Sequence, residues 1–162
     1  MAYVQLPNPV MSMIAPFQRT APVNVVAIAQ ALGLSVWEEV LDKNISGKLF
    51  RDPVNGGSSG FSIVVNAPDA LNRKRFTVAH EIAHFILHRN QIGEGLSDDT
   101  FYRSGLSTAQ EVEANKMAAD IIMPYQLIDS LQRNGTVSVS DLARALQVSE
   151  VAMMIRLGIP IP

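Results

Sequence analysis

His80, His84 and His88, the only three histidines of this 162-residue chain, lie within nine residues of one another in the stretch FTVAHEIAHFILH. His80-Glu81-Ile82-Ala83-His84 has the H-E-x-x-H spacing. On an α-helix, residues four apart stand about 6 Å along the axis and roughly 40° around it. Two imidazoles so placed share one face and can hold a zinc ion together. Glu81, one step round the helix, can accept a proton from a water that the ion activates. Phe76, Val78, Ala79, Ile82, Ala83, Phe85, Ile86 and Leu87 make the segment apolar on nearly every face, as an interior helix would be. A glutamate there is costly unless it is paired or serves a metal system. His88 stands eight residues after His80, rotated away from the pair, and reads as a helix-end residue stabilising the last carbonyls.

A catalytic zinc needs a third protein ligand. The next helical pattern opens at Ser107, an N-cap completed by Gln110 three residues on, and ends before Pro124. It offers Glu111 and Glu113. Asn115, Ala118, Ala119 and Ile122 share the face of Glu111, whereas Lys116 and Asp120 lie on the side of Glu113. Amphipathicity therefore turns Glu111 inward and Glu113 outward. Asn115, one turn after Glu111, is placed to hydrogen-bond a ligating histidine. Asp98 and Asp99 are the lesser alternatives for the third ligand. With no histidine left over to stabilise an oxyanion, that role falls to a tyrosine or an arginine. Tyr102 and Arg103, in the long polar connection over residues 89–107, are the candidates.

The elements that must position these groups follow in chain order. Residues 1–19 hold Pro7, Pro9 and Pro16 without periodicity and read as an extended N-terminal arm, with Met11, Met13, Ile14 and Phe17 on the surface of the fold. Val25, Ile28, Ala29 and Leu32 keep helical spacing between an Asn24 cap and a Gly33 stop. Residues 35–41, 48–51 and 61–66 read as strands, with DPVNGGSSG as the turn before the third. The third, FSIVVN, would hold an extended substrate by main-chain pairing if it lay at the sheet edge. Asn72 is the expected N-cap of the histidine helix. The run Arg73-Lys74-Arg75 reads as a solvated face, or alternatively as a docking patch for an acidic partner. Residues 127–131 and 138–157 suggest further helices.

The expected fold class is α+β: a small three-stranded sheet packed against a buried HExxH helix, with additional C-terminal helices. The expected organisation is the arm over residues 1–19, a metallopeptidase core over residues 20–135, and a helical, helix-turn-helix-like extension over residues 136–162 packed on the core. A net charge of −2 gives no electrostatic case for nucleic acid. In the tail the charges of Asp141, Arg144, Glu150 and Arg156 cancel, so direct DNA binding is not expected. With no cysteine, thiolate zinc sites and disulfides are excluded. No signal peptide or membrane-length apolar run is visible, and a cytoplasmic location is the expectation.

RFTVAHEIAHFILH, followed after the long connection by EVEANKMAADIIMP, resembles the ImmA/IrrE family of zinc metallopeptidases. APVNVVAIAQALGL and the SIVVN strand fit as well, so the likeness covers roughly residues 20–158. The resemblance implies a minimal gluzincin-like metalloprotease fold with zinc on His80, His84 and Glu111, and with Glu81 as general base. It implies that Glu111 to Asn115 is the second motif, E-x-x-A-N, with Asn115 supporting a histidine as a neutral acceptor. Members of that family cut helix-turn-helix repressors, and others are encoded beside such regulators in toxin–antitoxin-like pairs. The implied substrate or partner is accordingly a helix-turn-helix repressor or antitoxin. The alternative is a degenerate or latent peptidase that holds such a regulator without turnover.

Overall fold

A computed structural model describes residues 8–92, 95–99 and 106–162. Helix α1 (Asn8–Ile14) runs through one 3-10 turn (Ala15–Gln18) toward α2 (Val25–Ala31), and strands β1 (Leu34–Glu39), β2 (Ile45–Arg51) and β3 (Phe61–Asn66) follow. Next come α3 (Leu71–His88), strand β4 (Gly95–Asp99), α4 (Thr108–Ile122), α5 (Tyr125–Arg133), α6 (Val139–Leu146) and α7 (Glu150–Leu157). The architecture is α+β, with sheet order β1-β3-β2-β4. β1 runs parallel to β3, β2 antiparallel to β3, and β4 antiparallel to β2. The three expected strands are present, and β4 adds a fourth from within the long polar connection.

FSIVVN is a central strand, flanked on both sides, and every one of its residues is buried. The expectation that it could offer an open edge to a substrate is therefore corrected. A continuous run of apolar and β-branched residues is the mark of a strand covered on both faces. Its two polar residues are buried with partners. Ser62 accepts from Trp37 Nε1 and donates to Asp52 Oδ2, at 3.1 and 2.8 Å. Asn66 accepts from Leu41 N and donates to the carbonyls of Asp42 and Ile45, which shapes the β1–β2 connection.

Helix α3 lies at the centre of the fold, between the sheet and α4, with α2 alongside. It comes close to β2 because residue 47 is glycine: a Cβ there would stand 2.5 Å from Thr77 Cγ2 and 2.8 Å from the Val64 carbonyl oxygen. The helix starts at Leu71 with Ala70 as its uncapped N-cap, so Asn72 sits in the first turn and not at the cap. The basic run is dispersed. Arg73 donates to Ser46 Oγ and pairs with Asp69, Lys74 pairs with Glu38, and Arg75 donates to the Leu146 carbonyl.

The described part of the N-terminal arm, residues 8–18, is helical and not extended. Ile14 is wholly buried in the core and Phe17 packs against it, whereas Met11 and Met13 are exposed. Gln18 Nε2 donates to the carbonyls of Asp120 and Ile121, closing the C-terminal end of α4. The prolines leave the segment little periodicity, and it docks through Ile14, with Val10 and Phe17 packed against the core, and through the Gln18 bonds. The tail forms two helices, each N-capped by a serine (Ser138, Ser149), and Leu142, Ala143, Leu146 and Met153 join the common core.

Candidate metal centre

α3 presents His80 and His84 one turn apart, and α4 brings Glu111 to meet them. All three are buried. The Nε2 atoms of the two imidazoles are 3.0 Å apart. Glu111 Oε2 stands 2.9 Å from His84 Nε2 and 3.6 Å from His80 Nε2. A tetrahedral ion with bonds of about 2.0–2.1 Å keeps its ligand atoms roughly 3.3–3.4 Å apart. The three observed separations bracket that spacing, and two imidazoles with one carboxylate are a donor set suited to a divalent metal. The residues present fit the ion.

The electrostatics agree. Burial by itself would raise the Glu111 carboxyl, but hydrogen bonds from His80 and His84 and the charge of those rings outweigh it and hold the group far below the usual carboxylate range. Glu111 is thus ionised and ready to act as a ligand. Glu81, next to His80, is completely buried in α3.

Glu111 faces inward as the amphipathic reading requires, with Ala114, Met117, Ala118, Ile121 and Ile122 completing the buried stripe of α4. Asn115 falls outside that stripe. It is exposed, and among the described residues it makes no hydrogen bond to a histidine. The expected support of a ligating ring by Asn115 is corrected accordingly. The buried stripe passes from Glu111 to Ala114 and on to Ala118, which leaves Asn115 beside it and not in it. Tyr102 and Arg103 lie outside the described residues, and so does any test of their role. The backbone of Asp98 and Asp99 belongs to β4.

His88 ends the helix, as expected, but its ring is buried against side chains and not set on the last carbonyls, with Nδ1 3.0 Å from Nδ1 of His84 and Nε2 3.8 Å from Oε1 of Glu113. Burial, followed by the neighbouring His84, lowers its pKa below the ordinary imidazole value, against the opposing pull of Glu113 and Glu111. The signal was present in the sequence: the four-residue step from His80 to His84 is repeated from His84 to His88. Glu113, exposed as expected, still reaches toward α3.

A sheet backed by a buried helix, with two of its histidines and a carboxylate from the next long helix converging, gives a buried cluster that could hold a metal ion. A peptidase-family model described as the IrrE N-terminal-like domain matches residues 29–158, and the chain belongs to that family. Among curated proteins, the Radiation response metalloprotease IrrE of Deinococcus deserti is 35% identical over 103 residues, which cover 59% of this chain and 35% of that relative. The match thus spans about a third of the relative's length. Family and relative together support a metallopeptidase function. No helix among the described residues is long and apolar enough to cross a membrane.

Proposed function

We propose that this protein is a zinc-dependent metalloendopeptidase that cleaves a helix-turn-helix repressor or antitoxin-type regulator. The observation that carries the catalytic part is the convergence of one ligand atom each from His80, His84 and Glu111 within 4.8 Å, all buried, with Glu81 adjoining in the same helix. The identity of the substrate rests on the likeness of the two motifs to the ImmA/IrrE family.

When bound, zinc would supply Lewis acidity, lowering the pKa of a water toward neutrality and polarising a carbonyl. The Nε2 atoms of His80 and His84 and the Glu111 carboxylate would hold the ion. A Glu81 carboxylate oxygen takes the proton of the attacking water as its oxygen bonds to the scissile carbonyl carbon. Glu81 then returns that proton to the amine nitrogen as the C–N bond breaks. Tyr102 or Arg103 is the proposed oxyanion partner, on sequence grounds. With β3 central, main-chain pairing to an extended substrate requires an outer strand, β1 or β4.

The test is incubation of the zinc-loaded protein with the regulator encoded beside it. The wild type should cleave it. Glu81→Gln should keep its zinc and lose about 10²–10⁴-fold in rate, the usual contribution of a general base, while His84→Ala should lose both metal and cleavage. Unchanged proteolysis by Glu81→Gln overturns the mechanism. A stable complex with no cleavage by the wild type favours the latent-peptidase alternative.

A further inference from the structure

We propose that His88 and Glu113 are positioning residues that set the tautomer and orientation of His84, so that its Nε2 lone pair faces the metal site. The inference rests on the metal-site reading above and extends it to two residues outside the ligand set.

The argument follows from proton accounting. A neutral imidazole carries one N–H, and its other nitrogen accepts. His84 Nε2 is the atom that converges with His80 Nε2 and Glu111 Oε2. For that nitrogen to offer its lone pair, the His84 proton must sit on Nδ1. There it faces His88 Nδ1 at 3.0 Å, deep in the protein. His88 Nδ1 must then be the acceptor, which puts the His88 proton on Nε2. That N–H points toward Glu113 Oε1, 3.8 Å away, close enough for a carboxylate to favour it though too long for a direct hydrogen bond. Each proton position dictates the next, and the chain ends at a carboxylate near solvent.

A helix-end role does not account for these contacts. Both ring nitrogens of His88 are directed at side chains, one on α3 and one on α4, and the ring is buried among them. Ligating histidines generally donate their second N–H to an outer partner that fixes the ring, and removal of such a partner typically weakens metal binding about 10–100-fold. Here the outer partner is itself a histidine, held in its accepting tautomer by Glu113.

Zinc affinity by chelator competition, together with long-range ¹H–¹⁵N imidazole spectra of the zinc-loaded wild type, tests this. His88→Leu should weaken zinc binding by about 10–100-fold. His88→Asn, whose Oδ1 can accept from His84 Nδ1, should recover most of the loss. Glu113→Gln, a change at an exposed side chain, should cost a few-fold, and the spectra should show His84 protonated at Nδ1 and His88 at Nε2. Wild-type zinc affinity in His88→Leu, equal losses in His88→Leu and His88→Asn, or a His88 proton on Nδ1 would each overturn the assignment. If His88→Leu does not fold, the wild-type spectra and Glu113→Gln decide it. A wild type that takes up no zinc overturns the metal reading itself, and this inference with it.

Discussion

Glu111 is a carboxylate buried against two imidazoles, and its ionisation follows from that company more than from its burial. Its lowered pKa stabilises the fold at every pH above the usual carboxyl value, and the contribution is lost only as the pH falls toward the folded-state value. Metal binding should weaken as the pH is lowered, because ligating groups must give up their protons to bind the ion. Glu111→Gln keeps the shape of the side chain and removes its charge. We expect it to weaken metal binding by more than the about 10–100-fold typical of an outer partner, as measured by chelator competition at neutral pH. Retention of wild-type affinity would remove Glu111 from the ligand set.

At the level of elements, the site depends on how α3 is seated. The helix brings an almost wholly buried face, from Thr77 to Phe85, against the sheet and α4, and Gly47 in β2 admits Thr77. A methyl group at residue 47 would press on the Val64 carbonyl, which belongs to the central strand and cannot swing away. Gly47→Ala should therefore cost about 1–3 kcal/mol, the usual penalty for overpacking, measurable as a lower denaturant midpoint. Because the strain is relieved by moving α3, zinc affinity should fall in the same variant. A variant as stable as the wild type would show that β2 can yield at its irregular register between Ile45 and Gly47. α4 is held at both ends, by the Ser107–Gln110 capping box and by Gln18 on its C-terminal carbonyls, with Gln110 also bonded to Gln91.

Across the whole molecule, the C-terminal helices are locked to the site-bearing part of the chain. Arg156 of α7 donates through Nε to the Met123 carbonyl at 2.8 Å, pairs with Asp120 at 2.9 Å, and stacks over the Tyr125 ring. These contacts span α4, α5 and α7. Arg156→Ala should cost about 2 kcal/mol, from charge-assisted hydrogen bonds worth roughly 1.5–3 kcal/mol, and should speed proteolysis of the tail; unaltered stability would show that the two helices dock by apolar burial alone. The α6–α7 pair has the outline of a helix-turn-helix, but its part-buried Arg156 is committed to Asp120, Met123 and Tyr125. The exposed face of α7 offers Val151 and Ile155 where a DNA reader would place cations. We expect no salt-sensitive duplex binding by fluorescence anisotropy between about 50 and 200 mM salt.

The amino-acid sequence on its own determined what is local: the His80–His84 spacing, the Asn24 and Ser107 caps, the strand character of FSIVVN, and the inward turn of Glu111. Each is set by a period or a cap within one segment, and a helix or strand carries it into the fold unaltered. Only the tertiary structure decided what depends on neighbours distant in sequence. It put β3 in the middle of the sheet, drew Ile14 and Gln18 of the arm into the core, and left Asn115 at the surface. It also set the ring of His88, the last residue of α3, behind His84. These outcomes turn on which faces meet across elements, and packing between segments leaves no period in any one of them.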